Sequence, residues 1–298
     1  MATSEPGEDA VTILDCHCHA WERWPYLPPV PDEDTRGAVE LLLFEMDQNG
    51  VEQAAIVCAA IDHNADNVEY VSRARARARG ELGDRLHVVA DLDCTWHDTY
   101  HTAGAPERLR TLADDHELVG FTHYLGERND GWLRSEEADA VFALAAQRRL
   151  IVSLGAPPQW QADLRPLAAR HPSVPVLCHA LGVFSAAQGL DSPGLAEVLA
   201  SAAVPNILLK VSGLHYVSAR AWDFPWPDAV AGLERLHDAY GPDRLCWGSD
   251  FPACTRYTTF RQTLEVLRSH CPFLSAADLR LILGENLRRL LASGQAVG

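Results

Sequence analysis

The sequence predicts an α/β fold, a single-domain (β/α)8 barrel of the TIM type, on three observations. Short apolar runs rich in β-branched residues recur eight times along 298 residues. Amphipathic helix patterns separate most of them. No Gly-rich phosphate turn follows an early run, as an open doubly wound sheet would ordinarily show.

The first run covers residues 11–15 and leads into Cys16-His17-Cys18-His19. A helix pattern over 37–48 follows and stops at Asn49-Gly50. The second run is 54–58, and the third, 86–91, lies beyond an Arg-Ala helical stretch at 73–79. The fourth and fifth, 118–123 and 150–154, flank a helix pattern over 136–149. The sixth and seventh, 174–179 and 207–212, flank one over 195–203. A pattern over 228–240 precedes the eighth run, 244–248, and patterns over 258–269 and 276–291 close the chain. Residues 11–293 read as one catalytic domain, with short tails at 1–10 and 294–298. The first ten residues are polar and acidic, unlike a signal peptide, and no stretch is long enough to span a membrane.

A formal net charge of −16 argues against nucleic-acid and membrane partners, which select basic surface. Eight cysteines form no disulfide framework and no paired Cys-x-x-Cys spacing, which suits a reducing cytoplasm. Lysine occurs once, at Lys210, in a chain otherwise supplied with arginine.

Catalytic groups of such barrels sit where strands end and loops begin. Aromatic residues gather there: Trp21, Trp24 and Tyr26 after the first strand, Trp96 after the third, Tyr124 after the fourth and Trp160 after the fifth. Tyr216, Trp222, Phe224 and Trp226 follow the seventh. Together they predict an aromatic-lined pocket for a small cyclic or aromatic substrate.

Asp15, His17 and His19 alternate, so a regular strand would put them on one face and Cys16 and Cys18 on the other, packed against helices. Two imidazoles at that spacing can grip one metal ion or polarise one oxygen. Asp250, in Trp247-Gly-Ser-Asp-Phe-Pro252, ends the eighth strand, the first strand's neighbour in a closed barrel. It is a base for activating water, or a helix N-cap. His179 ends the sixth strand, and Lys210 and Ser212 share a face on the seventh. The lysine either orients a substrate carbonyl or carboxylate, or pairs with a buried acid. His123 and Tyr124 close the fourth strand, and His215 opens the loop after the seventh, so these are candidate substrate contacts. His97 and His101 are weaker ones. No Gly-x-Ser-x-Gly elbow is present.

The ordered set Asp15-x-His17-x-His19, His179-Ala-Leu-Gly182, Lys210-Val-Ser-Gly213, Gly248-Ser-Asp-Phe-Pro252 and Ile282-Leu-Gly-Glu-Asn286 resembles the amidohydrolase superfamily, in its amidohydrolase-related branch. The resemblance spans nearly the whole chain. It implies a hydrolase of the lactonase kind or a non-oxidative decarboxylase, and one divalent ion, zinc or manganese, on His17, His19, His179 and Asp250. Full metal-dependent members carry a further histidine after strand five, where this chain reads Ile151-Val-Ser-Leu-Gly-Ala-Pro157. That departure points to the lactonase group, whose histidines polarise a carbonyl with or without a metal.

The expected reaction is the opening of a small cyclic ester. Asp250 draws a proton from water, while His17, His19 and His179 stabilise the oxyanion. Lys210, His123, Tyr124, His215, Trp21, Trp24 and Trp222 orient the substrate. The rivals are amide or imide hydrolysis, decarboxylation of an aromatic or unsaturated acid, and an inactive barrel that only binds.

Overall fold

A computed structural model describes residues 11–295 apart from 62, 63, 79 and 81. The tail expected at 1–10 lies outside the described residues. Eight strands form one parallel sheet in sequence order: β1 (Ile13–Cys18), β2 (Val51–Cys58), β3 (Leu86–Asp91), β4 (Leu118–Tyr124), β5 (Ile151–Gly155), β6 (Val176–Cys178), β7 (Ile207–Val211) and β8 (Leu245–Trp247). With helices between them this is the (β/α)8 barrel. Each expected run coincides with a strand, and the bounds move by up to three residues. Helices over Asn67–Arg77, Ala105–Asp115 and Pro158–Arg170 complete the alternation.

Both faces of the sheet are largely buried, so its strands are mostly apolar. Ile56, Val152 and Leu209 pack outward into the main core beneath the helices. Leu14, Ile151, Leu177 and Leu208 pack in a separate inner cluster near the strands' N-terminal ends. Leu287 and Leu291, from the helix Asn286–Gln295, join this inner cluster.

β1 departs from the regular alternation. Asp15 and Cys18 are three positions apart, while their β2 partners Ala54 and Ile56 are two apart. The extra residue makes a bulge, which re-aims side chains. Cys18 packs in the main core as expected, but Cys16 sits in the inner cluster beside Leu14 and Cys246. Asp15 therefore does not share a working face with the two histidines. Its carboxylate accepts from its neighbour His17 N–H (2.9 Å), from Ser249 N–H (3.0 Å) and from the Ser249 hydroxyl. Burial pushes this carboxyl up to about 7, and those bonds pull against the rise.

Asp15 thus stitches the seam between β1 and β8. Asp250 N–H donates to His17 C=O (2.7 Å), and His19 N–H donates to Phe251 C=O, just beyond β8. The terminal motif braces the same seam. Asn286 Nδ2 donates to the carbonyls of Pro242 and Leu245, each at 2.8 Å. The expected continuous helix over 276–291 instead widens to a π-helical turn at Leu281–Glu285. There Gly284 lies so close to Thr12 C=O that a Cβ would collide with backbone. Gly284→Ala is expected to destabilise the protein by about 1–3 kcal/mol through overpacking. A thermal melt should show a Tm lower by several degrees.

Candidate active site

The site forms where β1, β6 and β8 end. The β1 bulge delivers His17 and His19, the turn after β6 delivers His179, and the turn after β8 delivers Asp250. His17 Nε2 lies 3.5 Å and His19 Nε2 3.6 Å from Asp250 Oδ1. All four side chains are buried. Asp250 has φ +57°, a left-handed conformation costly for most residues but tolerated by aspartate, and its N–H bond to His17 holds it there.

Proton positions follow from donor counting. Lys210, fully buried beneath this group, places Nζ 3.0 Å from His17 Nδ1 and 2.6 Å from Ser153 Oγ. Ser153 Oγ is in turn 2.7 Å from His179 Nε2. An ammonium can only donate. His17 Nδ1 and Ser153 Oγ therefore accept, which puts the His17 proton on Nε2. A hydroxyl can accept twice, so Ser153 serves His179 Nε2 either as donor or as acceptor, and the two arrangements put the His179 proton on Nδ1 or on Nε2. His179 Nδ1 is buried with no hydrogen-bond partner among the described residues. One lysine thereby aims the His17 N–H and holds the serine that faces His179. His19 has the opposite tautomer, because its Nδ1–H donates to Val57 C=O (2.8 Å) and leaves Nε2 as an acceptor.

The charges agree with this arrangement. Burial and the nearby Lys210 hold His17 down at about 3 and His179 far below the usual imidazole range, so both are neutral at pH 7. Burial brings Lys210 down to about 8, still largely protonated at pH 7. Burial opposes charge on Asp250, but the His17 N–H beside it holds its carboxyl far below the usual range, so it is ionised.

Above this floor opens a cavity of about 320 Å³. Trp21, Tyr26, Ile61, Trp96, Tyr124, Leu125, Val183 and Tyr216 form its wall, and His17, His19, His179, Ser212 and Asp250 supply its polar groups. Of the residues expected to contact substrate, Trp21 and Tyr124 line it. Lys210 lies beneath the floor, and His215 lies behind Asp250, with Nε2 3.8 Å from Oδ2. Trp24 packs edge-on against Tyr26 and donates to Pro28 C=O. His123 donates from Nδ1 to Leu92 C=O (2.7 Å) and belongs to a separate aromatic nest with Tyr100, His101 and Trp132. Trp222 is 72% exposed and forms no part of the lining. Trp160 and Trp226 are buried, their indole N–H groups bonded to Gly126 and Ala221 carbonyls.

Ser153 was not anticipated. It stands on β5, in the strand where the further histidine is missing. Its signal is a polar residue with the same parity as the inward Ile151 in an otherwise apolar strand.

His17, His19 and Asp250 bring ligand atoms within 4.8 Å of one another, the one such group among the described residues; His179 is not part of it. His19, backed by a carbonyl acceptor, and Asp250, whose Oδ2 has no partner, suit a divalent ion. His17 does not. A metal-bound imidazole needs an acceptor at its other nitrogen, and Lys210 presents an ammonium donor there. The donor set as protonated here does not fit a tightly held ion.

The amidohydrolase family model matches residues 14–292. Among curated proteins no sequence match was found. Solved structures share the fold at low identity. An amidohydrolase from Burkholderia multivorans with bound zinc is 20% identical at TM-score 0.71, covering 94% of this chain and 99% of that one. A probable 2-pyrone-4,6-dicarboxylic acid hydrolase from Acinetobacter baumannii, with citric acid bound, is 19% identical at TM-score 0.75 with the same coverage. A 2,6-dihydroxybenzoate decarboxylase from Rhizobium is 15% identical at TM-score 0.61, covering 94% and 98%.

Proposed function

Because this chain belongs to the amidohydrolase family, we propose that it hydrolyses a small cyclic ester with Asp250 as the base and two lysine-aimed imidazoles as the oxyanion site. One observation carries the reading. An ionised carboxylate and the unpartnered His179 Nδ1 lie at the floor of one apolar cavity, and in the proposed arrangement Ser153 donates to His179 Nε2 so that Nδ1 carries the proton. Such a floor provides both halves of water addition to a carbonyl.

In the proposed reaction Asp250 takes one proton from water, and His19 Nε2 accepts the water's other hydrogen in a hydrogen bond. The hydroxide oxygen bonds the ring carbonyl carbon as the carbonyl π pair moves onto oxygen. His179 Nδ1–H and His17 Nε2–H donate to that oxyanion. They are worth most in a site that excludes water. Collapse breaks the ring C–O bond, and the departing oxygen takes the proton back from Asp250. The product is a hydroxy acid and the base is regenerated. A divalent ion on this floor would supply Lewis-acid polarisation; none of these steps depends on it.

Decarboxylation draws no support from the cavity, whose lining includes no arginine or lysine to hold a substrate carboxylate. The test is a panel of lactones, amides and aromatic acids offered to protein dialysed against chelator, with acid release and carbon dioxide both recorded. Lactone opening unchanged by metal stripping is expected. Activity lost on stripping and restored by zinc would replace the base-and-imidazole mechanism with a metal one. Carbon dioxide release would replace hydrolysis altogether.

A further inference from the structure

The polar side-chain groups lining the cavity are those of His17, His19, His179, Ser212 and Asp250, the hydroxyls of Tyr26, Tyr124 and Tyr216, and the indoles of Trp21 and Trp96. No arginine or lysine lines it. The arginine behind the wall, Arg256, is already engaged. Its Nη2 donates to Tyr216 OH (2.9 Å), and its guanidinium lies 4.8 Å from the Tyr26 ring centre and 5.4 Å from that of Tyr257. Tyrosine faces hold this cation in place of a carboxylate. Lys210 gives its protons to His17 and Ser153. The charge that does reach the cavity is the Asp250 anion.

The wall is also flat. Gly155 and Gly213 leave room for the rings of Tyr124 and Tyr216: a Cβ on either glycine would come within 2.7 Å of the ring. Trp96, 53% exposed, carries the apolar surface out to the rim. A cavity of about 320 Å³ suits a small molecule of one or two rings.

We infer that the substrate is a neutral, planar, aryl-bearing cyclic ester, and that this site excludes carboxylated lactones. The inference rests on the hydrolytic reading for its ester and on the wall alone for its neutrality and flatness. A carboxylate entering here would lose water without gaining a counter-charge and would face Asp250.

Paired substrates test it: dihydrocoumarin, the same ring bearing a carboxylate, and non-aromatic δ-valerolactone. The neutral aryl lactone should exceed its carboxylated twin in kcat/KM by about 100-fold or more, as expected when a pocket cannot satisfy a buried charge. It should exceed δ-valerolactone as well. Equal or better turnover of the carboxylated ring overturns the inference, and loss of that preference in Arg256→Leu would identify Arg256 as its reader. Tryptophan fluorescence titration separates the two readings, because Trp21 and Trp96 stand in the wall. The probes are 1-tetralone and its carboxylated analogue, which cannot be hydrolysed. Preferential quenching by the ketone without turnover of any lactone would retain the substrate class and reject the reaction. Tighter binding of the acid, or binding of neither, rejects the class.

Discussion

Asp250→Asn is expected to lower kcat by about 10²–10⁴-fold, the range for loss of a positioned general base, and to leave the fold intact. Asparagine has the volume of aspartate and tolerates the left-handed backbone that Asp250 adopts at φ +57°. Alanine at that position would add backbone strain to the loss of the base and confuse the result. The backbone bond from residue 250 to His17 C=O does not involve the side chain and survives the change. Circular dichroism and a thermal melt should therefore match the parent protein, and neutral ligands should still quench tryptophan fluorescence. Hydrolysis within a few-fold of the parent would eliminate Asp250 as the base.

The second large effect is expected at Lys210, and its sign differs between stability and activity. The ammonium is fully buried and forms no ion pair among the described residues. A fall from the ordinary 10.5 to about 8 corresponds to about 3 kcal/mol of destabilisation at pH 7. Lys210→Met keeps the length of the side chain and removes the charge. We expect a raised Tm, as when buried ions give way to apolar side chains. Turnover should nonetheless fall by about 10²–10³-fold, the cost of losing an oxyanion donor. Without the lysine nothing fixes the tautomer of His17 or holds the serine that faces His179. The fall should lie in kcat with KM little changed, since the lysine touches no substrate. A further readout is specific to this role. Freed from the ammonium, His17 Nε2 can serve as a ligand, so calorimetry should find zinc binding more tightly to the variant than to the parent. Unchanged zinc affinity with unchanged kcat would make the lysine merely structural.

The two sites were not equally legible in the sequence. Strand positions were readable because a sheet buried on both faces writes continuous apolar runs. That Asp250, His17 and His19 gather at one end of the barrel was readable because polar residues ending such runs have few structural reasons to be there. Three things were not. The β1 bulge was hidden because pairing register depends on the partner strand, so Asp15 and Cys16 were assigned to the wrong faces. The role of Lys210 was hidden because it depends on Ser153 and His17, neither near it in sequence. Trp222 and Trp160 illustrate the remaining limit. Both follow a strand in the expected place, but whether a loop aromatic faces the cavity, the solvent or the helix layer is decided by how the loop folds back.

The seam between β1 and β8 also sets a timetable. Asp15 and Ser249, which stitch it, are 234 positions apart, and a ribosome adding about 5–20 residues per second needs tens of seconds to supply the second after the first. Through that interval a growing chain holds His17 and His19 without the residue proposed as their base. On that proposal chemistry is withheld from every incomplete copy, and a chain that stops anywhere before residue 250 is expected to be inert rather than weakly active.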